Sequence, residues 1–187
     1  MTAKGNRTDT QPPMKHGSPN DFQTPPQALA PLLPYLKPGW TIWEPASGTG
    51  NLVKELGRAG HPVIGTDILT GHDFLTWRPE ASWDCIITNP PYSLKQDFLV
   101  RCYELERPFA LLLPLTTFET RKRQALFEKH GVQVIFFDKR INFETPDGEG
   151  GGAWFMTAWF TWGLNLPRTL NFVRLLPRSQ TTLEVDL

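Results

Sequence analysis

Apolar and polar positions alternate between two periods along this chain. Short apolar runs fall at Thr41–Glu44, Pro62–Thr66, Asp84–Thr88, Phe109–Leu113 and Val132–Phe137. Asp84–Thr88 and Phe109–Leu113 show no polar alternation, the pattern of strands buried on both faces. Between them the period lengthens. Leu52, Val53 and Leu56 share one face of a helix over Asn51–Ala59, which Gly60 stops. Phe98, Leu99, Cys102 and Leu105 do the same over Lys95–Glu106, and a charged helix runs from Thr117 to His130 before Gly131. The segment from Gln27 reads as a short helix interrupted by prolines. Strand and helix in alternation predict a parallel sheet with helices on both faces.

The end of the chain breaks this rhythm. Arg140–Phe143 and Ala153–Trp162 read as two strands with a glycine loop, Gly148–Gly152, between them and no helix. That predicts an antiparallel pair at the sheet edge. From Asn165 onward the pattern assigns no element. Residues 1–20 carry almost no large apolar side chain and read as a disordered tail. The expected organisation is therefore a tail over 1–20, one catalytic domain over 21–164 and a C-terminal tail over 165–187, with no separate target-recognition domain.

Composition narrows the classes. The 187 residues fit one domain. Lys+Arg and Asp+Glu are 19 each, so coating of nucleic acid by bulk positive charge is excluded, while local basic patches are not. Cys85 and Cys102 form no zinc spacing and no disulfide framework, and no metal is expected. No apolar stretch approaches the ~18 residues of a membrane span. A cytoplasmic setting without membrane contact is the expectation.

Two motifs carry the chemistry. Glu44-Pro45-Ala46-Ser47-Gly48-Thr49-Gly50 follows a strand and opens a helix, so backbone can turn tightly and approach a ligand. It is not the dinucleotide fingerprint, whose third glycine falls at Val53, and no Lys-Ser/Thr pair makes it a phosphate loop. Asp67, at the tip of the next strand, can accept hydrogen bonds from ribose hydroxyls. Taken alone, these residues are equally a tight turn with an exposed strand-end Asp. The second motif, Asn89-Pro90-Pro91-Tyr92, follows the strand Asp84–Thr88 directly. Two prolines fix the backbone. The Asn89 side chain and the Pro90 carbonyl then offer two acceptors to the two N–H groups of a planar amino group, freeing its lone pair for attack. Tyr92 offers a face for stacking.

Together these segments resemble class I S-adenosylmethionine-dependent methyltransferases. Glu44–Gly50 is similar to their acidic-Pro-x-x-Gly-x-Gly cofactor motif, with Glu44 for the commoner Asp and Ser47 for a frequent Cys. Asn89–Tyr92 resembles the motif of the amino-methylating branch. Asp21-Phe22-Gln23-Thr24-Pro25 and the order of the motifs are similar to small phage- and prophage-type DNA adenine N6-methyltransferases. The resemblance implies a Rossmann-like fold: a mostly parallel seven-stranded sheet with an antiparallel edge strand and helices on both faces. It implies S-adenosylmethionine as cofactor, held by Phe22, Thr24, Pro25, Glu44, Pro45, Ala46, Ser47, Gly48, Gly50, Asp67, Ile68, Asp73, Phe74 and Asn89. It implies Asn89, Pro90, Pro91 and Tyr92 as the catalytic set acting on a flipped adenine in DNA. RNA adenine and a protein glutamine amide pose the same lone-pair problem and stand as alternatives. Lys95, Arg121, Lys122, Arg123, Lys139 and Arg140 are the candidates for nucleic-acid contact, with Lys129, Arg168, Arg174 and Arg178 behind them. A bacterial cytoplasm, a phage or prophage source and a monomer or homodimer complete the expectation.

Overall fold

The computed structural model describes residues 24–143 and 155–175. Phe22, the tail over 1–20, the glycine loop Gly148–Gly152 and Arg178 lie outside the described residues. A four-residue helix α1 (Pro26–Leu29) leads into strand β1 (Ile42–Glu44), helix α2 (Asn51–Arg58) and strand β2 (Val63–Gly65). Then follow β3 (Cys85–Thr88), α3 (Lys95–Glu104), β4 (Phe109–Pro114), α4 (Arg121–His130), β5 (Gln133–Phe137), β6 (Thr157–Trp162) and β7 (Leu170–Val173).

The seven strands form one sheet in the order β2-β1-β3-β4-β6-β5-β7. Every pairing is parallel except those of β6 with β4 and β5. The apolar runs explain two cores. Ile42, Cys85, Ile87, Ala110, Leu112 and Trp159 face α1 and α2, while Trp43, Ile86, Leu111, Leu113 and Phe160 face the α3 side. Successive strand residues take opposite faces, and both faces are buried. Trp159 Nε1 donates to the Ala28 carbonyl at 2.7 Å, which pins α1 to the middle of the sheet.

Three details differ from the sequence reading. The antiparallel strand exists as β6, but it is inserted between β4 and β5, and β7 takes the edge. Arg140–Phe143 is not a strand. Its alternation is real, since Ile141 and Phe143 are buried in the α1–α2 core, but β5 already has β6 and β7 on its two sides. The helix expected over Thr117–His130 is split into a 3₁₀ turn (Leu115–Glu119) and α4.

β7 is held by polar groups of β5 and the residue after it. Asn171 Nδ2 donates to the Val134 carbonyl, Asp138 N–H to the Val173 carbonyl, and Leu175 N–H to Asp138 Oδ1. Gln133 clamps the β6–β7 connection through both ends of its amide, donating to Leu166 O and accepting from Leu166 N–H.

Candidate active site

From β1 the chain steps to β2 on one side and then to β3 on the other. That reversal makes the carboxyl ends of β1 and β3 a topological switch point, where sheets of this type bind ligands. Both sequence motifs lie there.

The glycine turn leaves β1 at Glu44. Gly48 and Gly50 have φ of 49° and 86°, a left-handed backbone that side chains other than glycine adopt at a cost of about 1–2 kcal/mol. The turn is tied to β2: Ser47 N–H donates to Thr66 O at 3.0 Å and Gly48 N–H to Asp67 Oδ2 at 2.9 Å. Asp67 Oδ1 accepts from Leu69 N–H at 2.9 Å. Each carboxylate oxygen has a second lone pair, so Asp67 retains acceptor capacity. Gly65 fits beneath the turn because a Cβ there would meet Val53 Cγ2 at 2.8 Å.

Glu44 is fully buried. Its Oε1 accepts from Ala46 N–H at 3.0 Å and from the Thr88 hydroxyl, while Oε2 has no hydrogen-bond partner among the described residues. Burial pushes the carboxyl up to about 8, against the lowering effect of the Thr88 and Ala46 bonds. The Thr88–Glu44 bond also joins the two motifs, since Asn89 follows Thr88.

Asn89 is half-buried and Pro90 buried at the end of β3. Tyr92 begins a 3₁₀ turn that runs into α3, and Lys95 Nζ donates to the Tyr92 carbonyl at 3.0 Å. The Tyr92 hydroxyl is buried without a partner among the described residues, and burial pushes its pKa up. Phe155 lies edge-on to the Tyr92 ring, with centroids 5.5 Å apart. The sequence reading did not single out Phe155. It falls inside the expected strand Ala153–Trp162 but ahead of the observed β6, and nothing in the chain's order ties it to Tyr92.

Other candidates divide. Ile68 is 64% exposed beside Asp67, an apolar side chain open to a ligand. Asp73 Oδ1 accepts from Leu75 N–H, whereas Phe74 is buried against Trp43 and Phe98 and belongs to the core. Thr24 and Pro25 are buried at the entry to α1, and Thr24 Oγ1 has no partner among the described residues.

Among the cations, Arg123 departs from expectation. It is 8% exposed, and its guanidinium donates to the carbonyls of Thr117 (2.6 Å) and Thr116 (3.2 Å). It braces the turn after β4 and is turned away from solvent. Arg121 and Lys122 are exposed at the start of α4, and Lys139 and Arg140 just past β5, all at the carboxyl edge. Lys129, at the far end of α4, and Arg168, ahead of β7, lie at the opposite edge.

No family model matches this sequence, and no curated protein matches it. Solved structures do match by shape. A protein from Pyrococcus horikoshii assigned as an RNA methyltransferase aligns with a TM-score of 0.56 at 17% identity, covering 75% of this chain and 85% of that one. The modification subunit of an assigned type I restriction enzyme from Vibrio vulnificus aligns with a TM-score of 0.50 at 13% identity. That alignment covers 89% of this chain and 49% of the subunit, so the chain spans about half the subunit's length. The fold is the Rossmann-like fold of class I methyltransferases. Among the described residues, no helix is long and apolar enough to cross a membrane.

Proposed function

We propose that this protein transfers a methyl group from S-adenosylmethionine to the N6 amino group of adenine in DNA. The observation that carries the reading is the placement of both motifs at the carboxyl ends of β1 and β3. The Asn89-Pro90-Pro91-Tyr92 segment and the Glu44 turn leave neighbouring strands and are joined by the Thr88–Glu44 hydrogen bond.

The residues present fit the cofactor. Glu44 Oε2 is a buried polar atom without a partner among the described residues, suited to the cationic amino-acid end. The backbone of Glu44–Gly50 is the floor, Asp67 the acceptor for ribose hydroxyls, and Ile68 the apolar cover for the adenine ring. When bound, S-adenosylmethionine supplies an electrophilic methyl group. The Asn89 side chain and the Pro90 carbonyl accept the two amino N–H groups of the target and leave its lone pair available. Tyr92 stacks on the ring and, with Phe155 against it, holds the base in register. Extrusion of the base costs a few kcal/mol, which the exposed cations at the carboxyl edge offset by holding the backbone.

Tritiated-methyl transfer to DNA, RNA and total protein in parallel tests this. The expected product is N6-methyladenine in DNA, lost in Asn89→Ala while cofactor binding persists. Full transfer by Asn89→Ala overturns the mechanism. Label in RNA alone selects the second reading, which the likeness to the Pyrococcus protein assigned to RNA favours.

A further inference from the structure

We infer that Phe172, stacked on Phe136 and carried by β7, the outer strand of the sheet among the described residues, is a platform for a nucleobase of the single-stranded segment flanking the target. The inference rests on the nucleic-acid reading above and extends it to a second contact. Phe172 lies on β7, the outermost strand, and is 77% exposed. Its ring is 5.2 Å from that of Phe136 with an 18° interplanar angle, so the pair presents a rigid aromatic face. An aromatic side chain exposed to this degree on a sheet face has no role in the core, where Val134 and Phe160 on the same face are fully buried.

Its surroundings select the occupant. Arg174 is exposed two residues after Phe172. Lys139 and Arg140 are exposed just past β5, and the Asp138–Val173 and Asp138–Leu175 bonds hold the two strand ends side by side. Asp138, an exposed acid at this corner, accepts from Leu175 N–H through one oxygen. β5 and β7 run parallel to β1 and β3, so the platform's cations share the carboxyl edge with Asn89 and Tyr92. An aromatic face beside cations, on the edge that carries the target site, is how proteins bind single strands: bases stack and phosphates pair with the charges.

The test uses a short fluorescein-labelled oligothymidylate, which has no adenine and therefore bypasses the target pocket. Anisotropy titration of the full chain is expected to show salt-sensitive binding. Phe172→Ala is expected to weaken it about tenfold or more, and Phe172→Trp to retain it. Arg174→Ala is expected to weaken it and lower the salt slope by about one. Equal affinity in Phe172→Ala, or no binding by the wild type, overturns the inference. So does a Phe172→Ala variant whose self-association changes in sedimentation while its oligonucleotide affinity stays the same, which makes the patch a contact between copies. Phe172-dependent binding without adenine methylation leaves this inference standing and overturns the adenine reading. Normal methylation with Phe172-independent binding does the reverse.

Discussion

Exchanging Glu44 for Gln changes one hydrogen-bonding group and removes one titration, and the size of the effect follows from the site. In the folded protein the carboxyl titrates at about 8, against an ordinary value of 4.5. Folded chains therefore bind more protons than unfolded ones across that interval, and stability falls as pH rises through it. The favourable state, with Glu44 protonated, is complete below about pH 4.5 and lost by the time pH has passed 8. At about 1.4 kcal/mol per pH unit, the total approaches ~5 kcal/mol, comparable to the whole stability of a modest domain. The glutamine side chain keeps an acceptor for Ala46 N–H and the Thr88 hydroxyl but puts an amide with two N–H donors where Glu44 Oε2 lies buried. That costs about 1–3 kcal/mol at every pH. Glu44→Gln is accordingly less stable than wild type at about pH 5 and more stable at about pH 9, with crossing curves between. Urea unfolding of both proteins, followed by tryptophan fluorescence at each pH across this range, measures the difference directly. A difference that stays constant throughout refutes the reasoning, because it means that Glu44 is ionised in the folded state or accessible to water.

Further consequences are open to measurement. If the cofactor's cationic end meets Glu44, binding near pH ~6.5 releases close to one proton, and Glu44→Gln abolishes the release; calorimetry in two buffers of different ionisation enthalpy reads this. Arg123→Ala breaks two charge-assisted bonds to the Thr116 and Thr117 carbonyls and should cost about 2–4 kcal/mol in urea unfolding. Arg123→Lys should fail to restore it, because one ammonium cannot reproduce the fork. A normal unfolding midpoint with weakened nucleic-acid affinity would instead return Arg123 to the surface role. Gly65→Ala forces Val53 and the first turn of α2 outward, with an expected loss of about 1–3 kcal/mol and weaker cofactor binding by calorimetry. Trp159→Phe removes the bond to Ala28 O and should lower the urea midpoint by an amount worth about 1–3 kcal/mol.

The two chemical motifs were legible in the sequence for a physical reason. Each is one strand end and the turn that leaves it, so its residues are contiguous. Glu44–Gly50 and Asn89–Tyr92 needed only the expectation of a parallel sheet; that β1 and β3 are neighbours is given by the structure. What was illegible depends on groups distant in the chain. β7 is four residues long and half exposed, and its pairing is specified by Gln133 and Val134 on β5 and by Asp138 just after it. Arg121, Lys122 and Arg123 read as one basic run, yet a helix turns consecutive residues about 100° apart, so one of the three faces the protein. Phe155 meets Tyr92 only because β6 runs antiparallel beside β4 and returns its preceding residues to the carboxyl edge.

The same logic decides which edge of the sheet each charge reaches, with Asp67, Glu119 and Asp138 on the carboxyl edge beside the cations. In a parallel sheet every strand ends on one edge and every helix returns to the other. Cations placed just after strands or at helix starts therefore collect together, however far apart they lie in sequence. Arg121, Lys122, Lys139, Arg140 and Arg174 obey that rule, and Lys129 and Arg168 fall at the opposite edge by the same rule. A charge total has no access to this sorting, because topology decides which edge each charge reaches. Strand order consequently carries information on where charges collect that composition lacks. Charge reversals at Arg174 should weaken nucleic-acid binding more than reversals at Arg168, although the two flank the same four-residue strand.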